Sequence, residues 1–167
     1  MITRGGLILL DTSAIIEANK LKFWNALEKG FQLETVRKCI DEIKAGNFRG
    51  GTRLNIDVNR LAKGIVIRDV NREILTTAVL ASDGKLGHVD LGERDLIAYA
   101  FSRPEGAFFI SAQDKACIRV GGVLGLLERF ISLEEMAITV GVRTSLELQF
   151  TKRWLSSMKT QFRIGTL

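Results

Sequence analysis

Histidine, cysteine and proline are scarce in this chain, and each scarcity removes a class of chemistry. His88 is the only histidine among 167 residues, which excludes a multi-histidine metal site and leaves little room for a Ser-His-Asp or Cys-His triad. The two cysteines, Cys39 and Cys117, lie far apart in apolar, helix-like contexts without CxxC or Cys/His spacing, so they read as small buried hydrophobes rather than zinc ligands. Any hydrolytic chemistry must rest on carboxylates. One proline and no low-complexity tract argue against disorder. No apolar run approaches the roughly 18 residues of a membrane span. The stretch Met1-Ile2-Thr3-Arg4-Gly5-Gly6 is too short and too quickly strand-like for a signal peptide, so no membrane partner and a cytoplasmic location are expected.

What is present suits one domain with a real core: 46% hydrophobic and 26% charged residues over 167 positions. Lys and Arg number 24 against 19 Asp and Glu, a net charge of +5 with a pI near 9.5. That balance favours anionic partners, nucleic acid first.

Strand-like and helix-like segments alternate along the chain. Leu7-Ile8-Leu9-Leu10 is an aliphatic run buried on both faces, as a central parallel strand would be. Further strands are expected at Phe31-Gln32-Leu33-Glu34, Ile65 to Val70, Ala107 to Ser111 and Phe130 to Leu133. Helices are expected after Ala14, around Trp24 to Leu27, from Thr35 to Ala45, from Arg72 to Ala81, after Gly92, after Gln113 and after Glu134. The fold class is therefore α/β, a three-layer α/β/α sandwich around a mostly parallel sheet of about five strands. Ser145 to Arg163 carries Leu146, Leu148, Phe150, Trp154, Leu155, Met158 and Phe162 among Lys152, Arg153, Lys159 and Arg163, a basic amphipathic helix. Residues 1–140 form the expected domain, and 141–167 a helix that packs on it or on a partner; its apolar stripe makes a homodimer one arrangement to test.

Right-handed crossovers bring the carboxyl ends of parallel strands to one edge, where open α/β sheets bind ligands. Asp11 and Asp114 arrive there directly, and Glu93 begins the helix that leads to the later strand. Each has a structural alternative, since Asp, Thr and Ser cap helices and a first-turn Glu answers the helix dipole. Glu93 falls on the apolar face of its helix, whereas Asp95 points away. Asp41 and Glu42 flank the stripe of Val36, Cys39, Ile40 and Ile43 on opposite edges, and helical periodicity does not choose between them. Two carboxylates about 4 Å apart at an effective dielectric of about 20 repel by roughly 4 kcal/mol, so a converging set stays ionised only with a cation. Hard oxygen ligands suit Mg²⁺ or Mn²⁺. Gly46 to Asn55 is glycine-rich and basic, and with Arg60 and Lys63 it offers Arg49 and Arg53 as candidate phosphate clamps or as ordinary solvated residues.

Four motifs in order resemble the PIN domain nucleases: Leu10-Asp11-Thr12-Ser13-Ala14, Val36 to Ile43 ending in Asp41-Glu42-Ile43, Leu91-Gly92-Glu93 with Ala98 and Ala100, and Ile110-Ser111-Ala112-Gln113-Asp114-Lys115. They cover Leu7 to about Leu133. The resemblance implies that Asp11, Glu42, Glu93 and Asp114 are an acidic quartet binding one or two Mg²⁺ or Mn²⁺ ions, with a supporting hydroxyl from Thr12 or Ser13. Glu93 is favoured over Asp95 because the alanines follow it as in the family; Asp95 is the second candidate for a metal ligand. Where the family often has a hydroxyl two before the last acid, this chain has Ala112. The activity implied is metal-dependent hydrolysis of phosphodiester bonds in single-stranded RNA, in a toxin with an antitoxin protein partner or in a housekeeping nuclease. A receiver domain resembles a pattern with paired acids after its first strand, and a haloacid-dehalogenase phosphatase resembles DxD there; Asp11-Thr12-Ser13 matches neither. The stronger rival is a catalytically inactive nucleic-acid-binding or protein-interaction module on the same fold.

Overall fold

The structure, a computed structural model, describes residues 2–46, 56–103 and 106–167. Four strands, β1 (Leu7–Leu10), β2 (Gln32–Val36), β3 (Val66–Arg68) and β4 (Phe108–Ser111), form one sheet in the order β3-β2-β1-β4. Every pairing is parallel, with Leu7 opposite both Gln32 and Phe108 and Glu34 opposite Val66. β1 lies between two neighbours, and Ile8, Leu9 and Leu10 are wholly buried, as its unbroken aliphatic sequence requires.

Side chains alternate across the sheet and seed two cores. Leu9 belongs to one, with Ile110, Leu96, Ile97 and Phe130; Ile8 and Leu10 belong to the other, with Ile15, Leu27, Ile40 and Met136. The helices α5 (Arg72–Ala81), α6 (Leu91–Ser102), α7 (Lys115–Val123) and α9 (Lys152–Arg163) supply the first core. α1 (Thr12–Lys20), α2 (Trp24–Gly30), α4 (Val58–Gly64) and α8 (Leu133–Thr139) supply the second, and α3 (Arg37–Ala45) contributes to both. The result is the expected three-layer sandwich.

Several boundaries differ from the sequence expectation. The fifth strand, expected at Phe130 to Leu133, is reduced to a single bridge between Ile110 and Phe130. Its residues are used otherwise: Phe130 is buried beneath α7, and Ser132 caps α8 in a reciprocal capping box with Glu135. The tail helix starts at Lys152, capped by Thr151, rather than near Ser145, and Leu148–Phe150 forms a separate 3₁₀ turn. Strand β2 extends to Val36, so Thr35 lies in the sheet instead of opening a helix. There its hydroxyl donates to the Leu10 carbonyl at 2.7 Å and satisfies the end of β1.

Candidate functional site

In the order β3-β2-β1-β4, the chain moves to one side of β1 and then returns to the other, so the topological switch point lies between β1 and β4. Asp11 and Asp114 follow the carboxyl ends of these two strands. Both are helix caps as well as candidate site residues. Asp11 Oδ1 accepts the Ala14 N–H at 2.7 Å at the start of α1, and Asp114 Oδ1 accepts those of Ala116 and Cys117 at 2.7 and 3.1 Å at the start of α7. Capping aims each carboxylate and engages one oxygen. Asp11 Oδ2 accepts from Ser13 Oγ at 2.6 Å, and the Gln113 backbone N–H also donates to this carboxylate.

The structure decides between Asp41 and Glu42. Asp41 is exposed, whereas Glu42 turns inward and bridges two other elements. Its Oε2 accepts from Thr12 Oγ1 of α1 at 2.5 Å, and its Oε1 accepts the Gly92 N–H of α6 at 2.9 Å. The two candidate hydroxyls divide the support, Thr12 serving Glu42 and Ser13 serving Asp11.

Glu93 and Asp95 are separated in the same way. Glu93 feels repulsion from Asp11, Asp114, Asp90 and Glu42, which places it within reach of the whole cluster. Asp95 accepts instead from the Arg94 guanidinium, at 3.0 and 2.9 Å. Burial first, then these neighbouring charges, push the Glu93 carboxyl up to about 9. Asp11, only 1% exposed, is raised to about 6, chiefly by burial, with Glu42 adding repulsion and the bonds from Ser13, Ala14 and Gln113 opposing the shift.

Comparison with family models, with curated proteins and with solved structures finds no match. The chemistry of the site therefore rests on its own residues. Among the described residues, no three His, Cys, Asp or Glu side chains already stand in ion-holding geometry. The donor set nevertheless fits a hard divalent cation. Four carboxylates gather at one edge, and no ion pair among the described residues reaches Asp11, Glu42, Glu93 or Asp114. Asp11, Glu42, Glu93 and Asp114 could hold such an ion if they were drawn together and the hydrogen-bonded oxygens of Asp11 and Glu42 used their remaining lone pairs.

The expected phosphate clamps are less coherent. Arg49 and Arg53 lie outside the described residues. Arg60, on α4, is committed to Glu28 at 2.9 and 2.7 Å and to Asn25 at 3.0 Å. Lys63 is exposed in the last turn of the same helix. Three contributors escaped sequence reasoning. Asp90, at the cap position of α6, is a fourth acidic neighbour that acts on Glu93, with Asp11, Asp114 and Glu42. Gln113 is buried and donates from Nε2 to Ser111 Oγ at 3.0 Å, which occupies the hydroxyl nearest the Ala112 position. Gly92 is the third. Asp90 was legible as an acid three before Glu93, but no rule of spacing marks Gln113 or Gly92. Cys39 and Cys117 lie beneath the cluster as buried, free thiols; burial raises the Cys39 thiol to about 12 and Cys117 well above the usual range, so neither is a nucleophile.

Proposed function

We propose that this protein is a Mg²⁺- or Mn²⁺-dependent ribonuclease that hydrolyses phosphodiester bonds of single-stranded RNA. The reading rests on one observation: Asp11, Glu42 and Asp114, from distant points of the sequence, all lie near enough to the largely buried Glu93 at the sheet edge beside β1 and β4 that, after burial, their charges help raise its carboxyl. The motif resemblance to PIN domain nucleases supports the choice of RNA, and the net charge of +5 agrees with a polyanionic substrate.

In this reading the four carboxylates hold the ion, and Lewis acidity for hydrolysis is what the bound ion supplies. Thr12 fixes the Glu42 carboxylate; Ser13 and the first turn of α1 fix Asp11; the first turn of α7 fixes Asp114. Glu93 must lose its proton for the set to act, so uptake of the ion releases protons and cleavage rises with pH. Lys63, with Arg49 and Arg53, would contact substrate phosphates, whereas Arg60 would first have to leave Glu28.

The test is incubation of purified protein with labelled single-stranded RNA and Mn²⁺. Cleavage is expected with the metal, and loss of at least ~100-fold in EDTA or in the Asp11→Asn, Asp114→Asn double variant. Cleavage that survives both treatments sinks the proposal. A second reading, a catalytically inactive RNA-binding or protein-interaction module, is favoured by the lack of ready-made ion geometry among the described residues. RNA binding without turnover in any divalent ion would decide for it.

A further inference from the structure

Gly92 has an ordinary helical backbone rather than a positive φ, so conformational freedom does not explain a glycine in the first turn of α6. Space does. A Cβ built on Gly92 would stand 2.5 Å from Glu42 Oε2, 2.8 Å from Oε1 and 2.9 Å from Cδ. No side chain fits there while Glu42 keeps its place, and the Gly92 N–H donates to the same carboxylate at 2.9 Å. From α1, Thr12 Oγ1 donates to Glu42 Oε2 at 2.5 Å. Glu42 is thereby clamped between α1 and α6, one residue from Glu93.

We propose that Gly92 is a positioning residue of the site, acting through Glu42: its missing side chain and its N–H hold that carboxylate within the acidic cluster for cation binding. This rests on the metal-dependent reading above. An alanine at position 92 leaves the fold intact, because the atoms it meets are the far end of one flexible side chain. Glu42 swings away and the cluster loses a ligand.

Two measurements test this. In ¹⁵N-labelled, metal-free protein the Gly92 amide is expected to exchange slowly with solvent, and Glu42→Ala to accelerate its exchange and shift its resonance. Calorimetric titration with Mn²⁺ then compares wild type, Gly92→Ala, Glu42→Gln and the double variant, with Gly87→Ala, whose Cβ meets nothing within 4 Å, as the control. Gly92→Ala is expected to weaken Mn²⁺ binding by ~10–100-fold, Gly87→Ala to leave it unchanged, and the double variant to bind no more weakly than Glu42→Gln alone. An amide indifferent to Glu42→Ala, wild-type affinity in Gly92→Ala, or losses that multiply in the double variant would each overturn the role of Gly92 while leaving the metal site standing. A wild type that takes up no Mn²⁺ overturns the metal reading itself, and the positioning role with it.

Discussion

Glu93 couples the site to pH. Its carboxyl is raised from 4.5 to about 9, so between those values the folded chain keeps a proton that the unfolded chain has released. Folded stability is then greatest at acid pH and falls as the pH rises toward 9. The metal-free protein is therefore expected to melt at progressively lower temperature from about pH 5 to about pH 9, and Glu93→Gln to flatten that slope and raise the melting temperature at pH 8 by roughly 2–8 °C. Thermal melts in EDTA read both; a slope unchanged by Glu93→Gln would remove Glu93 from the cluster. Asp11 acts in the same sense over the narrower range from 3.8 to about 6. Asparagine is the informative replacement there, because it still caps α1 through Ala14 while discarding the charge. At this scale Asp11, Glu93 and Asp114 were legible from strand ends and helix phase. Helix phase did not choose Glu42, since α3 puts it and Asp41 on either edge of one stripe; the motif resemblance alone named it, and Thr12 and Gly92 across the site hold it.

Among the elements, α7 and α9 show how close packing sets what the sequence tolerates. A Cβ on Gly121 would lie 2.6 Å from the buried Phe130 ring, so α7 needs glycine there to approach the residue that bridges to β4. Gly121→Ala is expected to destabilise the fold by about 1–3 kcal/mol, measured as a lower urea midpoint at unchanged m. The expected fifth strand fails for a related reason: Phe130 is drawn under α7, and Ser132 with Glu135 starts α8 two residues later. The tail helix α9 reads as basic in sequence, yet Lys159 and Arg163 face Glu128 and Lys152 faces Glu135, while Leu155 and Met158 enter the first core. Its start is set by the Thr151 cap, and Thr151→Ala should cost about 1 kcal/mol in the same urea experiment. Amphipathic period located this helix; the cap and the preceding 3₁₀ turn decided where it begins.

At the level of the whole molecule, the proposed metal site would link cation binding to folding, because the order β3-β2-β1-β4 assembles its carboxylates only in the folded chain. An ion that binds the assembled cluster and not the unfolded chain stabilises the protein by about 2.7 kcal/mol at one hundred times its dissociation constant. Mn²⁺ is expected to raise the melting temperature, and by more at pH 8 than at pH 6, because protons compete for Glu93 and Asp11 at the lower value. EDTA should erase the increment, and the Asp11→Asn, Asp114→Asn variant should not show it. An equal increment in that variant would place the ion elsewhere.

The sequence by itself determined the alternation of strands and helices, the central place of Leu7 to Leu10, and the delivery of Asp11 and Asp114 to one sheet edge. These follow from local periodicity and from the handedness of parallel crossovers, which the chain carries at every scale of its sequence. Only the tertiary structure showed that Thr12 and Gly92 engage Glu42 while Asp41 stays exposed, and that Asp90, Gln113 and Gly92 adjoin the candidate site. The contacts that fix Glu42 and bring Gln113 to the site join residues 30 to 100 positions apart, such as Thr12 with Glu42 and Ser13 with Gln113, and no local period encodes a contact of that range.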